Sequence, residues 1–165
     1  GGAVQTGYLY AYRKGYDIAV QFDGDGQHDA KFLDMMADTL VKENLDMVIG
    51  SRFIDNQGFQ SSAIRRFGIR FFTVLLKILF GSRITDATSG MRMCNRRVME
   101  LFIKDYPKDY PEPETVARLM RHKYKVKEVP VIMRERQAGV SSISWRKSAY
   151  YMMKVSLAIV IERLR

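Results

Sequence analysis

The sequence predicts an α/β fold, a mostly parallel sheet with flanking helices. An apolar run over residues 18–22 stops at a turn rich in aspartate and glycine, a helical period follows over residues 30–43, and a second apolar run covers residues 46–50. Strand, helix and strand in that order make a β-α-β unit, whose two strands are expected to run parallel.

Residues 3–15 read as the opening helix, closed by Gly15, and the strand from Asp17 to Phe22 is apolar enough to suggest burial on both faces. Asp29 can cap the next helix, which places Phe32, Leu33, Met36, Ala37 and Leu40 on one face. The strand from Asp46 to Gly50 then delivers Ser51 and Arg52. A polar loop over 54–62 leads into a helix over 63–80, followed by a short strand from Thr88 to Cys94 and helices over 95–104 and 113–122. A strand from Val126 to Met133 and a helix over 145–164 complete the chain. Pro130 lacks a ladder donor, so it argues for an edge position or a bulge.

At 165 residues and 47% hydrophobic composition, the chain is long enough for one compact domain with its own core. Its single cysteine, Cys94, excludes a disulfide framework and a thiolate zinc cluster, and reads as a buried structural thiol. No apolar run reaches the ~18 residues that a membrane-spanning helix needs. The net charge of +9 is unevenly placed: residues 116–165 carry 12 Lys/Arg against 3 Asp/Glu, and the first 115 residues carry 15 of each. A basic final third suits substrate phosphates or anionic lipid as partners. Nucleic acid is set aside, because zinc-finger spacing, an RNP-type aromatic motif and a helix-turn-helix pairing are all lacking. A solvated surface that only aids solubility is the plain alternative.

Asp23 and Asp25 emerge where the first strand stops, and three chemistries compete for them. A calcium loop of the EF-hand type needs glycine at position six and glutamate at twelve, where counting from Asp23 gives His28 and Asp34. A phosphatase with an aspartyl nucleophile wants a small hydroxyl or β-branched residue where Gln27 stands, and a later paired-aspartate motif. A Mg²⁺ or Mn²⁺ ion bridging the two phosphates of a nucleotide-sugar accounts for the turn and for the basic partners downstream. Hard cations take oxygen ligands, and Asp23, Asp25 and the amide of Gln27 supply them. His28 reads as an exposed polar residue rather than a ligand.

The segments Phe22-Asp-Gly-Asp-Gly-Gln-His-Asp29, Gly50-Ser-Arg-Phe53, Asp86-Ala-Thr-Ser-Gly-Met-Arg92, Glu128-Val-Pro-Val131 and Arg136-Gln-Ala-Gly-Val-Ser-Ser142 follow one another in order. Together they resemble glycosyltransferase family 2, and within it the branch of polyprenyl-phosphate sugar synthases such as dolichyl-phosphate mannosyltransferase. The resemblance covers nearly the whole chain. It implies a GT-A type, Rossmann-like fold, a UDP- or GDP-sugar donor, an inverting transfer, and Mg²⁺ or Mn²⁺ on Asp23, Asp25 and Gln27. It further implies catalytic roles for Asp25, Arg52 and Arg136, with substrate contacts from Asp23, Gln27, Arg66, Arg92 and Ser141. Guanidinium groups suit that work because they pair their donors with phosphate oxygens. For Arg52 a salt bridge to Asp86 or Asp55 is the structural alternative. The family's first strands would precede Gly1, so residues 1–165 are expected to form a single domain, the C-terminal two-thirds of the full catalytic unit.

Arg66, Arg70, Thr73 and Lys77 share one stripe of the helix over 63–80, whose remaining positions are mostly apolar. Such a helix suits a membrane surface, where cations meet lipid phosphates, or a core position with a thin solvated face. In the last helix Tyr150, Met153, Leu157, Ile161 and Leu164 share a face, suited to docking on the sheet or on a membrane partner. The function these features predict is sugar transfer to a polyprenyl phosphate by an enzyme peripheral to the cytoplasmic face of the membrane. A lipid phosphate is ionised already and needs no general base. A sugar hydroxyl of a cell-wall polysaccharide, the alternative acceptor, needs one, and Asp86, Glu112 and Glu114 are the candidates. In the non-enzymatic alternative the basic third binds lipid or nucleic acid and the aspartates merely cap a turn.

Overall fold

The computed structural model describes residues 1–55, 63–107, 111–134 and 145–164, with side chains from 66 in the third helix and from 150 in the sixth. Six helices flank four strands: α1 (Gly2–Arg13), β1 (Ile18–Gln21), α2 (Leu33–Lys42), β2 (Met47–Ser51), α3 (Ala63–Phe80), β3 (Arg92–Asn95), α4 (Arg96–Lys104), α5 (Pro111–Arg121), β4 (Val126–Pro130) and α6 (Trp145–Leu164). A 3-10 turn over Ala30–Phe32 precedes α2, and the Asp29 carboxylate accepts the Lys31 amide at its start.

The strands lie in the order β1-β3-β2-β4. β3 is antiparallel to both β1 and β2, with Arg92 opposite Gln21 on one side and Ile49 on the other, while β2 and β4 are parallel. Three strands therefore point the same way, but the sheet is mixed. The predicted β-α-β unit is corrected in one respect: β1 and β2 run in the same direction without pairing, because β3 lies between them. One consequence shapes the site. The C-terminal ends of β1, β2 and β4 and the N-terminal end of the antiparallel β3 all reach the same edge of the sheet, so four loops converge there.

Strand burial follows from this order. Every residue of β2 is buried, with Met47 and Ile49 facing one core and Val48 the other, as a period of two requires. The larger core gathers Tyr8, Phe72, Leu76, Phe102, Val116 and Ile159 from five helices, whereas α2 covers the second face with Met36 and Leu40. β1 was expected to be buried on both faces and is not: Val20 is 41% exposed, because β1 ends the sheet among the described residues. Pro130 falls at the end of β4, the opposite edge.

Two left-handed residues set the strands. Gly15 (φ +81°) closes α1, where the Tyr16 amide returns to the Ala11 carbonyl, and Asn44 (φ +49°) closes α2, where Leu45 returns to Leu40. The buried Asp46 then fixes the start of β2. Its carboxylate accepts from the Lys125 amide (2.8 Å), the Asn95 amide group (2.9 Å) and Arg97 (3.1 Å).

For the last helix, one of the two expected placements, docking on the sheet, is not the one found. Tyr150, Met153, Leu157, Ile161 and Leu164 do share a face, but that face is exposed. α6 packs on α5 and α3 through the other side, carrying Val155, Ile159 and Glu162. Glu162 goes inward because Arg118 of α5 meets it there, with Nε at 3.0 Å and Nη2 at 2.7 Å from Oε1. Both side chains are almost wholly buried, and Arg118 also donates to the Asp105 carbonyl (2.6 Å). Without Glu162, Arg118 keeps Asp105 at 2.9 Å and Glu114 at 3.4 Å, so Glu162→Ala is expected to cost about 2 kcal/mol of stability, the value of hydrogen bonds to a charged group, checked by urea denaturation.

Candidate functional site

The turn after β1 is organised by its own side chains. The Asp25 Oδ1 accepts the Gln27 amide (3.1 Å), and Gln27 ties the turn to the strand end beyond β4: its carbonyl accepts the Arg134 amide (2.8 Å) and its Nε2 donates to the Arg134 carbonyl (3.3 Å). Arg134 also reaches Asp29 Oδ2 at 2.7 Å. With Nε2 so engaged, the Gln27 amide oxygen is turned the other way. Asp23 keeps half of its side chain in solvent. Its carboxylate lies against Gly90, just before β3, and within 4.0 Å of the His28 Nε2.

His28 is buried rather than exposed, which corrects the sequence reading. Its ring stands edge-on to Phe22 at 5.4 Å. Burial lowers the imidazole pKa below its ordinary value against the upward pull of Asp23 and Asp25, and Arg52 acts in the same sense as burial.

The second part of the site is the loop 85–90. Arg52, at the end of β2, grips Asp86 in a buried bidentate pair: Nε to Oδ2 at 2.7 Å and Nη2 to Oδ1 at 2.6 Å, with Nη2 also on Thr88 Oγ1 at 3.0 Å. From β4, the Glu128 carboxylate accepts the Thr85 and Asp86 amides at 2.8 and 2.6 Å and the Thr85 hydroxyl at 2.8 Å. Burial, reinforced by the nearby Asp86 charge, raises the Glu128 carboxyl pKa despite these donors. Arg92 holds the far end, donating to the carbonyls of Ser89 (2.7 Å) and Ala87 (2.6 Å) and to Thr115 Oγ1 (2.8 Å).

Thr85 also borders a cavity of about 300 Å³ lined by Phe53, Arg66, Ile69, Arg70, Thr73 and Thr85. α3 makes one wall. Its Ile69, Phe72 and Leu76 enter the core, its Arg66, Arg70 and Thr73 face the cavity, and Phe67, Phe71, Val74 and Ile78 form a third stripe that is exposed. The floor of the cavity is tied down where Thr73 Oγ1 donates to the Thr85 carbonyl at 2.9 Å.

The sequence profile described as Glycosyl transferase family 2 matches residues 1–102. The chain belongs to glycosyl transferase family 2. The mixed α/β architecture agrees with the GT-A type fold. Among similar proteins, the polyprenol monophosphomannose synthase of Mycolicibacterium smegmatis is 29% identical over 94% of this chain and 60% of its own length. The undecaprenyl-phosphate mannosyltransferase of Micrococcus luteus is 28% identical over 87% of this chain and 60% of its own. The UDP-N-acetylglucosamine–dolichyl-phosphate N-acetylglucosaminyltransferase of Methanococcus voltae is 29% identical over 79% of this chain and 53% of its own. The chain thus spans little more than half the length of these relatives.

Within this family 2 domain, Asp25 and Gln27 meet through the Gln27 amide in the turn after β1, Asp23 lies against Gly90, and Arg66 lines the cavity. Arg136 and Ser141 lie outside the described residues. Arg92 was expected to touch substrate and does not: it is 2% exposed and its donors are spent on the loop and on Thr115, because alternation along β3 sends it into the larger core beside Cys94. For Arg52 the salt bridge to Asp86 is the arrangement found. Asp86 is in turn a poor base, being fully buried with both oxygens engaged. Glu112 and Glu114 stand in the first turn of α5, and Glu114 pairs with Arg118 at 3.4 Å. The sequence reading placed Glu128 and Gly90 inside its motif segments but gave neither a role, because their partners, the Thr85 and Asp86 amides and the Asp23 carboxylate, lie across the fold.

The arginines should separate by experiment. Arg92→Ala orphans buried acceptors and is expected to cost about 3 kcal/mol of stability, whereas the exposed Arg70→Ala should stay within about 0.5 kcal/mol of the parent. Urea melts of the two variants check this.

Proposed function

We propose that this domain transfers a sugar from a nucleotide diphosphate-sugar to a polyprenyl phosphate. The observation that carries the reading is the make-up of the cavity, whose lining among the described residues has two arginines and two threonines and no carboxylate. Guanidinium and hydroxyl donors suit a phosphate. An ionised phosphate oxygen attacks the anomeric carbon as the bond to the departing diphosphate breaks, and no proton has to be removed. A sugar hydroxyl acceptor would need a base, and Asp86 is held by Arg52 while Glu114 is held by Arg118.

The loop 85–90 links the cavity to the aspartate turn, since Thr85 lines the one and Gly90 lies against Asp23 of the other. Thr85 and Gly90 are five residues apart, so their Cα atoms lie within about 17 Å even if that segment were fully extended. The polyprenyl-phosphate names of the relatives in Mycolicibacterium smegmatis, Micrococcus luteus and Methanococcus voltae agree with this acceptor.

A Mg²⁺ or Mn²⁺ ion would be held by Asp23, Asp25 and the Gln27 amide oxygen. The donor set fits a hard cation, with two carboxylates and the amide oxygen of Gln27, whose NH₂ group is engaged by the Arg134 carbonyl. Among the described residues no group of three or more His, Cys, Asp or Glu side chains is arranged to hold a metal. Such an ion supplies positive charge against the departing diphosphate.

The acceptor's lipid suggests where the enzyme works. No helix among the described residues is long and apolar enough to cross a membrane. The exposed Phe67, Phe71, Val74 and Ile78 stripe lies about a quarter turn round α3 from Arg66 and Arg70, at ~100° per residue. An interfacial α3 at the cytoplasmic face would put the stripe among acyl chains and the arginines at phosphate level.

The test is a transfer assay with labelled nucleotide-sugars, polyprenyl phosphate in detergent, and Mn²⁺ or Mg²⁺. Lipid-linked product is expected only with the metal present. Asp25→Ala should abolish it, and Arg70→Ala should reduce it about tenfold, the value of one charge-assisted hydrogen bond. Product on a sugar hydroxyl, or turnover indifferent to metal, would contradict the reading.

A further inference from the structure

We propose that Gly90 and His28 are positioning residues for Asp23, holding its carboxylate between them in the orientation that serves the cation. The inference rests on the metal and diphosphate reading above and concerns residues that touch neither substrate nor metal.

On one side the constraint is steric. A methyl group built on Gly90 would stand 2.9 Å from Asp23 Cγ and 3.0 Å from Oδ1, and nearer still to Oδ2. Real side chains do not approach so closely, so glycine is what admits the carboxylate. Backbone freedom is not the reason: Gly15, Gly26 and Gly81 have positive φ and Gly90 does not. The backbone under Asp23 is also unable to retreat. Arg92 holds the Ser89 and Ala87 carbonyls, the Met91 amide donates to Ser89 Oγ at 3.3 Å, and the Met91 carbonyl accepts the Gly50 amide at 2.9 Å.

On the other side the constraint is polar. His28 is 7% exposed, its Nε2 faces Asp23 Oδ2 at 4.0 Å, and its Nδ1 is buried with no hydrogen-bond partner among the described residues. A neutral imidazole carries one N–H. Placing the proton on Nε2 turns it toward Asp23 and leaves only a lone pair on the unpartnered Nδ1, which is less costly than a stranded N–H. Phe22 fixes the ring plane by its edge-to-face contact. The carboxylate thus has a wall against Gly90 and, 4.0 Å away on its other side, the His28 Nε2, longer than a direct hydrogen bond, with its remaining surface in solvent.

Partners of this kind typically alter metal affinity by 10–100-fold when removed. The experiment is calorimetric titration of Mn²⁺ with pyrophosphate, which avoids the nucleoside, into the parent, Gly90→Ala, His28→Phe, His28→Gln and Asp23→Ala, with a thermal melt of each. Gly90→Ala and His28→Phe should bind at least tenfold more weakly than the parent. His28→Gln, which keeps an N–H donor at similar reach, should recover to within about threefold of the parent, well short of the 10–100-fold loss. Should Gly90→Ala fail to fold, the double variant with Asp23→Ala should fold and melt within a few degrees of Asp23→Ala, because the clash has lost its partner. Parent-like binding by both Gly90→Ala and His28→Phe overturns the inference and leaves the metal reading intact. Absence of binding by the parent itself overturns both.

Discussion

The site depends on one buried ion pair, Arg52 with Asp86. β2 ends at the sheet edge with Arg52 pointing inward, and the loop that leads to β3 can cross that edge only where Asp86 meets it. Desolvating two charges is expensive, and a pair of this kind is favourable only when its geometry is good and its other lone pairs are satisfied. Here the fork is bidentate, Thr88 and the Arg52 amide add donors, and Glu128 holds the Asp86 amide from the next strand. The chain around Asp86 is thereby fixed relative to two strands. Everything chemical is hung from it: Thr85 forms the cavity wall before the pair, and Gly90 carries Asp23 after it.

This arrangement divides the arginines by environment. Arg52, Arg92 and Arg118 are buried and spend their donors on carboxylates, carbonyls and hydroxyls of the protein itself. Arg66 and Arg70 stand on a cavity wall instead. Among the described residues the basic character of the final third is likewise partly structural, since Arg118 and Arg121 both approach Glu162. Charge counted along a sequence does not separate these uses, because each depends on what lies across the fold.

The element plan was legible in the sequence because local signals agreed with the tertiary ones. Gly15 and Asp29 mark ends by their own stereochemistry, and the periodicity that placed Met36 and Leu40 inside needs no long-range knowledge. The Asp23, Asp25 and Gln27 turn was legible for the same reason. Strand order was not. Nothing local in Arg92–Asn95 announces that β3 inserts antiparallel between β1 and β2, and the burial of β1 was misjudged for want of it. Arg92 was misread for a related reason: a charged residue inside a core is intelligible only with its partner, and Thr115 is 23 residues from it. His28 looked exposed because the wall that buries it comes from other loops.

The most direct measurement is amide hydrogen exchange on the parent protein, read residue by residue through the loop 85–91. If the Arg52–Asp86 pair and its partners make this loop a rigid part of the sheet, the Asp86, Ser89 and Met91 amides will exchange as slowly as those of Val48 and Ile49 in β2. Exchange of these three at the rate of an open surface loop, with β2 still protected, would contradict the account.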